Sequence, residues 1–310
     1  MNHRTAVFAM VCVTLLWSIA GVVTRHLDQA RSFEVTFWRS AFNALALAVM
    51  LHLLRGPALW RSLVRSPWPV WVSGMCWGVM YTAFMVALTL TSVANVLVTM
   101  ALGPLLTALL ARLALGHRLA ARTWGAIAVA GGGIAWMFGH EARGSRADEL
   151  LGTAVALLVP LAAATNWTVL QHIAQRARTQ ARTSAGEAPL DMLGAVLIGA
   201  VLSALVSLPL AWPFQASGRD LSLLALLGVV QLALPCLLVV RVSRVLSAPE
   251  VSLLGLLEVI FGVTWAWLGA GEEPSSTTLL GGALVLGALV ANEALALRDR
   301  SRASLLKETA

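Results

Sequence analysis

The sequence predicts an all-α integral membrane protein, with ten transmembrane helices arranged as two inverted five-helix repeats around a central cavity. Three observations predict it. The chain is 58% hydrophobic and only 12% charged over 310 residues, about half the charged share of a soluble domain, which is roughly 25%. That leaves too little polar surface to cover a globule in water and excludes a disordered chain, a fibrous protein and an ordinary cytosolic enzyme. Apolar runs of spanning length, roughly 20 residues each, recur along the whole chain. The second five runs repeat features of the first five at a nearly fixed offset.

The runs fall at about 5–25, 34–54, 68–90, 93–115, 122–140, 150–173, 190–212, 221–243, 247–269 and 278–297. Runs three and four are separated only by Thr91 and Ser92. The first run is long enough to span and no small-residue cleavage site follows it, so it reads as a retained helix and not a signal peptide. Ten helices use about 200 residues and leave about 100 for loops and tails, so no large extramembrane domain fits. Cys12, Cys76 and Cys236 all lie inside apolar runs. There they act as small hydrophobes, and neither a disulfide framework nor a metal site is indicated.

Orientation follows from the positive-inside rule. With the N-terminus in the cytoplasm, sixteen of the 22 basic residues fall in cytoplasmic segments, ending with Arg298, Arg300, Arg302 and Lys307. Five fall on the other side (Arg25, Arg31, Arg143, Arg146 and Arg219), and Arg39 lies within the second run. This places both termini inside. It also explains the formal net charge of +7 without nucleic acid. One lysine against 21 arginines, with abundant Ala, Leu and Gly, suggests a GC-rich, bacterial genome and so a bacterial inner membrane.

The repeat is visible in Ser92 to Gly125 against Ser247 to Gly281. Each begins with a serine closing a helix. Each continues through a long apolar helix to a glycine, Gly116 or Gly271, and then a short polar turn into a glycine-rich helix. The offset is 155 residues, and Trp17 and Trp167 stand 150 apart. The halves are thus 5–140 and 150–297, with a cytoplasmic tail at 298–310. Five is odd, so the second half enters the membrane from the opposite face. That is the inverted repetition of many alternating-access transporters.

Leu16-Trp17-Ser18, Phe37-Trp38-Arg39, Leu257-Glu258-Val259 and Gly271-Glu272, in this order and doubled, resemble the EamA family of the drug/metabolite transporter superfamily. The resemblance implies ten helices, a cavity between the halves lined by helices one, three, four, six, eight and nine, and export of amino acids or related metabolites, as in the YddG-type aromatic amino-acid exporters. Three departures stand out. His117 occupies a place where the family often has glutamate, Val259 replaces a proline, and the second half lacks a match to the Arg39 motif.

Glu258 is the sharpest single feature. It lies about 16 Å into run nine at 1.5 Å per residue, where a carboxylate costs at least ~2.5 kcal/mol. Gly255, Gly262 and Trp265 share its face. It reads either as a cavity carboxylate for a substrate ammonium or a proton, or as a buried acid held by helix ends or by Arg39. Arg39, about 9 Å deep, reads either as an interfacial residue that snorkels or as a gate or carboxylate-binding group. Nine of the twelve tryptophans lie at helix ends and fit an aromatic belt. Trp17, Trp77 and Trp167 lie deep, with Tyr81 one turn beyond Trp77. They can stack on a substrate or simply pack. Asn166, Gln231, Thr99, Asn95, Thr165, Thr168 and Gln171 are polar groups that need partners within the membrane, as cavity lining or as interhelical glue. His172 reads as interfacial, a turn from the end of its run. Pro104, Pro160 and Pro235 mark hinges or static kinks.

The substrate-binding set is therefore Trp17, Trp77, Tyr81, Thr99, Asn166, Gln231 and Glu258, with Arg39 as a gate or ion-pair candidate. No metal, cofactor or nucleic-acid partner is expected, and no catalytic set is visible, so the chain reads as a transporter and not an enzyme. The partners implied are a small molecule and membrane lipid. The glycines of runs five and ten allow close packing within a half or in a homo-oligomer. A nucleotide-sugar or organophosphate antiporter and a membrane enzyme are the alternatives. The first would want several cavity cations, and the second a catalytic group set.

Overall fold

The computed structural model describes residues 1–30, 32–115, 121–144, 147–183, 190–246 and 248–308. Arg31, Gly116, His117, Arg118, Arg146 and Ser247 lie outside the described residues. So one serine and one glycine of the aligned repeat, and the position of the family-like glutamate, do too. The described residues are helical and contain no strand.

The helices in chain order are α1 His3–Thr24, α2 Ser32–Arg55, α3 Ala58–Val64, α4 Trp68–Leu90, α5 Val93–Met100, α6 Gly103–Leu115, α7 Ala121–Gly144, α8 Ala147–Ala156, α9 Leu158–Thr183 and α10 Leu193–Ala211. They continue as α11 Gly218–Leu226, a π-helical segment Leu227–Ala233, α12 Leu234–Val242, α13 Ala248–Gly255, α14 Leu257–Ala270 and α15 Ser276–Glu308. Among the described residues, eight helical stretches are long and apolar enough to cross a membrane. They correspond to eight of the ten apolar runs. Runs five and ten lie in α7 and α15, which are not among the eight, although α15 carries a shorter apolar stretch, Ser276–Asn292.

Four of the runs are not single uninterrupted α-helices, three of them at the prolines expected to mark hinges or kinks. Run four breaks between α5 and α6, and run six between α8 and α9. The cause is proline. Pro104 and Pro160 have no N–H for the carbonyls of Met100 and Ala156, four residues back, and α5 and α8 end at those residues. Pro235 likewise frees the carbonyl of Gln231, and there the chain widens into π turns without breaking. Run nine breaks at Leu256 with no proline, after Gly255 and 155 residues beyond Ala101. Helix α9 continues beyond the apolar run to Thr183, about three turns past His172.

Packing runs mainly between the halves. Helix α2 lies against α10 and the π segment, and α4 against α10, α8 and α9. Helix α1 meets α12 and α14, α5 meets α14, α6 meets α9 and α13, and α7 meets α15. Glycine permits the closest of these contacts. A Cβ on Gly199 of α10 would sit 2.9 Å from the Gly74 carbonyl oxygen and 2.9 Å from the Gly78 nitrogen of α4. Polar side chains add local ties. Asn95 Oδ1 accepts from Thr278 Oγ1 at 2.5 Å, joining α5 to α15. Thr165 and Thr168 donate to carbonyls four residues back, which satisfies them within α9.

Candidate functional site

The helix breaks, the π segment and the middles of α1 and α4 surround one cavity of about 130 Å³, room for about ten water molecules at roughly 10–15 Å³ each. Its aromatic wall comes from Trp77, Tyr81 and Phe84 of α4, Trp167 of α9 and Trp17 of α1. Trp77 stacks on Tyr81 with ring centroids 5.6 Å apart. Trp167 meets Trp77 edge-on at 5.6 Å and 84°. Met10, Met80 and Met100 complete the apolar lining.

The polar groups of the cavity are few. Arg39 of α2 is 1% exposed, so it does not reach an interface. Its guanidinium lies 5.7 Å from the Phe84 ring centroid. Its Nε and Nη2 donate to Gln231 Oε1 at 3.3 and 2.9 Å, and its Nη1 has no partner. Gln231 Nε2 donates to the Trp17 carbonyl at 3.1 Å. Among the described residues Trp77 Nε1 also lacks a partner, whereas the Tyr81 hydroxyl lies against Cys236 and Asn43. Glu258 stands in the first turn of α14, just beyond the break at Leu256, and lines the same cavity. No hydrogen bond or ion pair joins its carboxylate to another described residue. Glu258 and Arg39 share the cavity without a direct hydrogen bond, their charges acting on each other through space.

Of the sequence-derived set, Trp17, Trp77, Tyr81, Gln231, Glu258 and Arg39 line the cavity, joined by Trp167. Asn166 and Thr99 do not. Asn166 is fully buried, and Ser73 Oγ donates to its Oδ1 at 2.6 Å, tying α9 to α4. Its neighbours Ala163 and Trp167 take the cavity face of α9. Thr99 is fully buried with an unpartnered hydroxyl, while Met100 and Gly103 face the cavity. The helical spacing of 77, 81 and 84 could have identified Phe84. Ser252, Cys236 and Leu256 also line the cavity and carried no sequence signal.

One end of the bundle is tied together by a polar knot. Arg25, at the end of α1, donates from Nε to Glu272 Oε2 at 2.7 Å and from Nη2 to the Thr91 carbonyl at 2.9 Å. Glu272 Oε1 accepts from the Val93 amide at 2.6 Å. Gly271 adopts φ 64°, the left-handed turn glycine favours, and so the Glu272 amide can return to the Ala266 carbonyl at 3.1 Å. At this end a second carboxylate, Asp220, accepts from the amides of Asp28 and Gln29, so α11 and the α1–α2 loop are held together. The Gly271-Glu272 pair thus ties the tip of α14 to α1 and to the α4–α5 junction.

The EamA-like transporter family model matches residues 4–139 and again residues 150–292. An uncharacterized transporter of Vibrio cholerae serotype O1 is 26% identical over 139 residues, which is 43% of this chain and 45% of that one. A protein solved by crystallography shares the fold over 96% of this chain and 99% of its own, with a TM-score of 0.64 and 21% identity. The family match covers both halves of a chain with eight membrane-length apolar stretches among its described residues. The chain belongs to the EamA-like transporter family, within the drug/metabolite transporter superfamily, and is a multi-pass membrane protein.

Proposed function

We propose that the protein is a bacterial inner-membrane secondary transporter or facilitator that exports amino acids, aromatic ones included, or related metabolites by alternating access. In this reading ten helices form two inverted repeats, 5–140 and 150–297, with both termini and the 298–310 tail in the cytoplasm. Exchange of the halves maps the observed packings onto one another, which supports the repeat. Run one against runs eight and nine becomes run six against runs three and four, and run two against run eight becomes run seven against run three. Runs two and seven, four and nine, and five and ten pair with each other.

The observation that carries the substrate class is the pairing of unsatisfied groups in one apolar cavity. Arg39 Nη1 and Trp77 Nε1 are donors without acceptors among the described residues, suited to a carboxylate. Glu258 is an acceptor without a donor, suited to an ammonium. The rings of Trp17, Trp77 and Trp167 suit an apolar or aromatic side chain, or the ammonium itself. A phosphate-bearing substrate fits less well, because Arg39 is the sole cation among the lining residues and a carboxylate shares the cavity. Counterflow into liposomes loaded with each amino-acid class tests the reading. Labelled amino acid is expected to accumulate, and a protein that moves no amino acid or amine refutes it.

A further inference from the structure

We infer that Gln231 is a positioning residue that sets the charge preference of the cavity, holding Arg39 in place with a neutral acceptor so that its positive charge is left for the ligand. This rests on the amino-acid reading above and deepens it. The hydrogen-bond capacity of Gln231 is largely taken up by protein. Its Oε1 accepts from both Nε and Nη2 of Arg39, and one Nε2–H is given to the Trp17 carbonyl. The side chain is 1% exposed. It therefore acts on Arg39 more than on a ligand.

The backbone is shaped for this contact. Gln231 sits in the π segment Leu227–Ala233, at the residue whose carbonyl Pro235 releases. π turns concentrate at functional sites because they redirect side chains out of the regular helical register. Gly228, one turn before, lets the segment lie directly on α2. A Cβ there would be 2.7 Å from the Arg39 carbonyl oxygen and 2.8 Å from the Asn43 nitrogen. The bonds to Gln231 fix the one edge of the guanidinium formed by Nε and Nη2 and leave Nη1 without a partner. An amide orients the cation without cancelling its charge, whereas a carboxylate at the same place would form a buried ion pair and neutralise it.

The test is equilibrium binding of L-phenylalanine and of 2-phenylethylamine to the purified full-length protein in detergent micelles, by titration calorimetry. The two ligands share ring and ammonium and differ in the carboxylate. The wild type is expected to prefer the amino acid. Gln231→Glu is expected to lower that preference at least tenfold, and Gln231→Met, which frees Arg39 without adding charge, to lower it less. A merely structural role would reduce the yield of folded protein but leave the preference of the folded fraction unchanged. If Gln231→Glu does not fold, Gln231→Met carries the same comparison. Folded variants that keep the wild-type preference overturn the inference and leave the amino-acid reading standing. A wild type that binds neither ligand and shows no counterflow overturns both.

Discussion

Arg25 and Glu272 meet at 2.7 Å across 247 positions of the chain. Their contact joins the end of the first span to the end of the ninth, and the same carboxylate holds the amide of Val93. The side chains are 31% and 19% exposed, so the pair is partly screened, and its charge-assisted bonds are worth about 1–2 kcal/mol. Glu272→Gln is therefore expected to raise the population open at this end by about 5–30-fold. In a variant with Cys12, Cys76 and Cys236 replaced by alanine, a cysteine in place of Leu97, which lines the cavity, would report it. An impermeant maleimide added on the side of residues 25 and 272 should react faster by that factor. An unchanged rate would show that the knot does not gate access.

Glu258 bears on pH. A carboxylate facing the cavity can take a proton or hold an ammonium, and an amide of the same shape can do only the weaker part of the second. Glu258→Gln is expected to flatten the pH profile of transport. It should also weaken the apparent affinity for ammonium-bearing substrates by about 10–150-fold, the worth of a hydrogen bond to a charged group at 1.5–3 kcal/mol. Rates in liposomes across a pH series check both. Wild-type behaviour throughout would return Glu258 to a structural role.

Gly199→Ala should wedge α10 away from α4. The added methyl would collide with Trp77 Cβ and lie 2.9 Å from two backbone atoms. Overpacking costs about 1–3 kcal/mol, and the melting temperature in detergent is expected to fall by roughly 2–10 °C. Because Trp77 lines the cavity, substrate affinity should fall with it. Gly125→Ala, where nothing lies within 4 Å of the new Cβ, is the matched control and should leave both unchanged.

Reporter tags fused to the N- and C-termini should both read as cytoplasmic, because the proposed topology gathers sixteen basic residues on that side against five. An external C-terminus would end the ten-helix inverted arrangement.

The membrane class, the doubling of the chain and six cavity residues were legible in the sequence because each rests on depth. A charge or a polar group amid apolar text is costly unless it faces something polar, so Arg39, Gln231 and Glu258 stood out. Depth alone does not give azimuth. Asn166 is as deep as its neighbour Trp167 but faces Ser73, one position round the helix. Discontinuity was half legible. Pro104 and Pro160 announced themselves, but the break at Leu256 has no proline, so Glu258 read as mid-helix when it stands in a first turn. The Arg25–Glu272 knot was illegible, because polar residues at span ends are ordinary and only the folded chain brings these two together.

The breaks at Ala101–Leu102, Leu157 and Leu256 give three rods an internal joint, each next to residues of the cavity wall. A body so jointed can exchange its open end while the outer rod segments stay seated in the surrounding lipid. Under the alternating access proposed above, the girth and height presented to the bilayer would hold constant, and the work of each turnover would be done against side-chain packing inside the protein and not against compression of the membrane.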